Sequence, residues 1–93
     1  MELKDLRQKI DIVDAELIKL LEKRMDIAAD IAAYKRCAGA PVRDAAREAE
    51  KLADVREKSR PETADCVVSV FESILAASRA YQTSLLQEAS HDE

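Results

Sequence analysis

Apolar residues recur at Leu3, Leu6, Ile10, Val13, Leu17, Leu20, Leu21, Ile27, Ala28 and Ile31, in steps of mostly three and four. That period fits one face of an α-helix. Nothing interrupts it before Gly39 and Pro41, which predict a stop near Ala38. Asp44 is placed to cap a second helix, from about Ala45 to Lys58, with Ala49, Leu52 and Val55 as its apolar face. Pro61 breaks the chain again. Glu62 or Thr63 then opens a third helix with the stripe Val67, Val70, Phe71, Ile74, Leu75, Leu85 and Leu86. The tail Ser90-His91-Asp92-Glu93 is expected to fray. The predicted fold is therefore all-α, with one long helix, one short and one of intermediate length.

Composition agrees with that reading. The chain holds 16 Ala, one Gly and two Pro, too few turn residues for a β-barrel. Its 93 residues predict a single domain spanning residues 1–93. An apolar share of 47% is too high for a disordered chain. Net charge is −4, which disfavours nucleic acid as a partner, because counterion release needs a basic surface. No apolar run approaches the roughly 18 residues of a membrane span. The start, Met-Glu-Leu-Lys-Asp, lacks the layout of a signal peptide. Cys37 and Cys66 stand apart, with a single His in the chain, so a zinc site would lack ligands. Unpaired thiols without an export signal point to the cytoplasm.

Length adds a constraint. A first helix of about 35 residues is about 50 Å long, whereas a compact chain of this size has a radius of gyration of about 12 Å. The rest of the chain is too short to cover the whole stripe. A homodimer is expected, with the long helices packed antiparallel or nearly so.

The stripes fail at informative places. On the first helix the inward positions after Leu20 and Leu21 and after Ile31 are Arg24 and Lys35. They are 11 residues apart, hence about 20° from the same direction and about 16 Å apart along the axis. On the third helix the stripe continues through Ser78 and Gln82 before Leu85. Each has an ordinary reading alone: Arg24 snorkelling, Lys35 at a helix C-terminus, Ser78 as a small packing residue, Gln82 as a register residue, and Arg47 with Glu48 as surface charges. Together, polar groups on two inward faces suggest a solvent-excluded pocket with anionic contents, because an unpaired buried cation is costly. Arg7 lies about 25 Å from Arg24 and about 100° around the helix. One small ligand cannot meet both from the same chain, so a role for Arg7 in the pocket requires a partner subunit.

These residues carry a resemblance. The segment Leu6-Arg7-Gln8-Lys9-Ile10-Asp11-Ile12-Val13-Asp14, followed by Leu17, Leu20, Leu21 and Arg24, resembles the first helix of the all-helical chorismate mutases. Lys35, then Pro41-Val42-Arg43-Asp44 and Arg47-Glu48, is similar to that family's loop and second helix. Phe71, Ile74, Ser78 and Gln82 match the third. The resemblance implies an intertwined homodimer that rearranges chorismate to prephenate, a step toward phenylalanine and tyrosine. It implies that Arg7 from the partner chain and Arg24 clamp the substrate carboxylates, with Ser78 and Arg47 lining that side. Lys35 and Gln82 would hydrogen-bond the ether oxygen, and Glu48, with the backbone near Asp44, would hold the ring hydroxyl. No cofactor or metal is implied, since a [3,3] sigmatropic shift needs neither. Two other readings share the residues. One is an isochorismate-pyruvate lyase on the same scaffold, which a hydroxyl partner at Glu48 disfavours. The other is a helical dimerisation module without catalysis.

Overall fold

The computed structural model describes residues 2–91, folded into three helices: α1 (Leu3–Ala38), α2 (Ala45–Lys58) and α3 (Ala64–His91). The two chain breaks use the residues that the sequence marks. Gly39 adopts the left-handed conformation (φ 69°, ψ 20°), and its N–H turns back to the Lys35 and Arg36 carbonyls, closing α1. Asp44 takes an extended conformation, and its Oδ1 accepts from Arg47 N–H at 3.0 Å, capping α2.

The third helix opens at Thr63, one of the two residues expected, with Ala64 as its first helical residue. Thr63 supplies the first helical carbonyl, to Val67 N–H, but its hydroxyl donates back to the Arg60 carbonyl in the preceding turn. At the other end, in the tail expected to fray, the backbone of Ser90 and His91 is helical; Asp92 and Glu93 lie outside the described residues.

α3 packs against both other helices, while the backbones of α1 and α2 stay apart. The core is small: Ala28 and Ala32 of α1, Val55 of α2, and Ala64, Val68 and Leu75 of α3. Ala28 and Ala32 let α3 approach α1 closely, but small side chains bury little apolar area. From Glu2 to Leu20 every residue is exposed, including Leu3, Leu6, Ile10, Val13, Leu17 and Leu20 of the α1 stripe. The molecule measures 58 × 27 × 14 Å, with a radius of gyration of 16.7 Å. That is well above the about 12 Å of a compact chain this long, because the N-terminal part of α1 extends past the groove where Leu17, Leu20 and Leu21 meet Val67 and Phe71 of α3. No helix among the described residues is long and apolar enough to cross a membrane.

Candidate active site

Where the second half of α1, the start of α2 and the middle of α3 converge, they enclose a cavity of about 320 Å³. This is within the usual range for small-molecule sites. α1 contributes Arg24 and Lys35, α2 and its cap contribute Asp44, Arg47 and Glu48, and α3 contributes Ser78 and Gln82. Seven of the eight residues singled out from the sequence thus border one volume. Arg7 does not: it sits on the exposed, projecting half of α1.

Each side chain is held by identifiable contacts. Lys35, half-buried, donates from Nζ to the Val42 carbonyl at 2.6 Å, tying the loop after Gly39 to α1. Ser78 and Gln82 are only 7% and 6% exposed, and Gln82 Nε2 donates to Ser78 Oγ at 3.2 Å. The i, i+4 spacing on α3 sets that pair. Gln82 Oε1 is buried with no partner among the described residues. Such an orphan acceptor costs about 1–3 kcal/mol. Glu48 accepts from Arg79 Nη1 across the α2–α3 interface. Asp44 spends one oxygen on its cap. Arg47 leans outward, 60% exposed, at 3.5 Å from Glu50.

Arg79 and Lys51 also line the cavity, and the sequence reading passed over both. The signal was present: Leu75, Ser78, Arg79 and Gln82 form an i, i+3, i+4, i+7 set on one face. Lys51 is three residues beyond Glu48 but points its charge at Asp54, 3.6 Å away. Asp54 is held below the ordinary carboxylate range by the hydrogen bond from Lys58, with both lysines adding charge attraction.

The wall therefore carries five cations and two carboxylates, an excess of three positive charges in a chain whose net charge is −4. Arg79, Lys51 and Arg47 each have a carboxylate partner. Among the described residues no carboxylate neutralises Arg24 or Lys35. Two uncompensated cations at a partly enclosed wall favour an anion. The enclosure is incomplete in one chain. Ile27, Ile31, Asp44 and Arg47 remain exposed along the cavity rim, so the expected exclusion of solvent is not achieved by the protomer alone.

Comparison with known families and proteins fits this geometry. Residues 6–83 match the model of the family described as chorismate mutase type II. The chain belongs to that family. Its activity is that of an isomerase, chorismate mutase, and the family's role is in aromatic amino acid biosynthesis. A chorismate mutase from Methanocaldococcus jannaschii is 27% identical over 92 residues, covering 97% of this chain and 93% of the relative. A 3-dehydroquinate dehydratase from Pyrobaculum aerophilum is 43% identical over 47 residues, half of this chain but only 16% of that protein. The family match includes every residue assigned to the cavity, from Arg24 to Gln82, and also Arg7.

Proposed function

We propose that the cavity between α1, α2 and α3 binds chorismate, a dianion, in a chair-like conformation and lets it rearrange to prephenate. The observation that carries this is the pair Arg24 and Lys35, without a carboxylate partner among the described residues, lining a cavity of ligand size together with the buried amide of Gln82. Arg24 and Arg7 of the partner subunit clamp the two carboxylates, with Ser78 and Arg47 on the same side. Guanidinium groups do this bidentately and so restrict the rotors of a flexible substrate. In the reaction one C–O bond breaks and one C–C bond forms within the same molecule, so no proton, electron or co-reactant enters. Negative charge grows on the ether oxygen as the C–O bond lengthens. Lys35 Nζ, which keeps two further N–H groups beside its bond to Val42, and the Gln82 amide donate to that oxygen. Glu48 accepts from the ring hydroxyl.

A homodimer is part of this proposal. The accessible surface is 7393 Å², against about 5,400 Å² expected for a compact monomer of this mass. The excess, about 2,000 Å², reflects the elongated shape, in which the N-terminal part of α1, with its apolar stripe, faces solvent. A second copy laid antiparallel covers it, brings Arg7 of the partner subunit to the open rim, and completes the enclosure. The same arrangement explains why a single chain has so small a core.

The test is direct. The protein is incubated separately with chorismate and isochorismate, and loss of each is followed by absorbance, alongside Lys35→Ala and Gln82→Ala. Chorismate should be consumed, and each variant should lose about 100- to 1,000-fold in turnover with its helical circular dichroism intact. Consumption of isochorismate with release of pyruvate, and none of chorismate, sinks the mutase reading in favour of the lyase. Variants that keep most of the parental turnover sink the assignment of Lys35 and Gln82.

A further inference from the structure

The backbones of α1 and α2 stay apart and both helices rest on α3; besides the chain itself, the bond from Lys35 Nζ to the Val42 carbonyl links α1 to the loop that leads into α2. α2 is anchored to α3 unevenly. Its C-terminal half has the buried Val55 and the Arg56–Asp65 bridge at 2.9 Å. Its first turn offers only exposed alanines, Ala45, Ala46 and Ala49, and no buried apolar side chain. What joins that turn to α3 is the ion pair of Glu48 with Arg79, whose side chains are 18% and 30% exposed. The same turn carries the cavity residues Asp44, Arg47 and Glu48.

We propose that Arg79 is a positioning residue: through Glu48 it fixes the first turn of α2 against α3, and so sets the distance from the Glu48 carboxylate to Lys35 and Gln82 across the cavity. This rests on the mutase reading for its consequence in catalysis, but the anchoring itself does not depend on which substrate binds. The guanidinium has a second effect. It compensates the Glu48 charge, so that a dianion entering the cavity meets no bare carboxylate there. Arginine suits the task because its planar fork holds a carboxylate in a defined orientation.

The experiment compares Arg79→Gln and Arg79→Lys, alone and combined with Glu48→Gln. In substrate-free protein, hydrogen exchange at the Arg47 and Glu48 amides, which bond to Asp44, should quicken about 10- to 100-fold in Arg79→Gln. The amides around Val55 should keep their parental rates, and Arg79→Lys should restore most of the protection. With chorismate, kcat/KM of Arg79→Gln should fall by about the same factor, mostly in kcat, and recover in Arg79→Lys. Added to Glu48→Gln, Arg79→Gln should cost less than about 3-fold more, because the two act as one unit. Losses that multiply, or a fall confined to KM, mean that Arg79 binds substrate itself and overturn the proposal. Unchanged exchange in the first turn also overturns it. A parent protein inert toward chorismate fails the mutase reading alone, leaving the exchange result to judge the anchoring.

Discussion

Gln82 concentrates the chemistry of this site in one side chain. It is nearly buried, one amide proton goes to Ser78, and its oxygen has no partner among the described residues. An uncharged amide there tolerates a dianionic ligand at any pH, where a carboxylate would repel it. The replacement Gln82→Glu therefore separates electrostatics from shape, because the side chains are nearly equal in size. Burial at this position raises the pKa of the introduced acid, and its protonated form still donates a hydrogen bond. Activity near pH 8 should drop by about 10-fold or more and climb again toward about pH 5. A pH profile parallel to that of the parent would refute a donor role at the ether oxygen.

Among the elements, α1 does two jobs with its two halves. From Leu21 onward it packs Ala28 and Ala32 against α3 and supplies Arg24 and Lys35. From Leu3 to Leu20 it presents the same apolar stripe to solvent. The stripe does not change character along the helix; only the presence of α3 beside it does. Leu6→Glu combined with Val13→Glu places two carboxylates in that face without touching the cavity of the same chain. The double variant should sediment as a monomer, lose helicity, and lose turnover because Arg7 of the partner subunit is no longer delivered. A dimeric, fully active double variant would show that the projecting half of α1 has another purpose.

At the scale of the whole molecule, an extended and thinly cored protomer supports the proposed dimer as the stable unit. Its buried apolar residues are mainly Ala and Val, and the first half of its longest helix is exposed from Leu3 to Leu20. On the proposed dimer, folding and association are one equilibrium, and stability depends on protein concentration. Raising the concentration about 100-fold should lift Tm by several degrees, in step with dimer population measured by sedimentation. A Tm that ignores concentration over that range argues for a self-sufficient monomer.

Periodicity determined the helices and their faces, since apolar spacing, a glycine stop and an aspartate cap act within a few residues of each other. It also determined that Arg24, Lys35, Ser78 and Gln82 interrupt apolar stripes, and the chain length showed that one copy could not cover the first helix. The tertiary structure decided what those faces meet. Arg79 reaches Glu48, 31 residues away in sequence, only because α3 crosses α2 where it does. Lys35 reaches Val42 only because the loop after Gly39 folds back beneath it. A local pattern fixes direction around a helix axis, but which side chain of another helix stands opposite depends on crossing angle and separation, and no local pattern contains those.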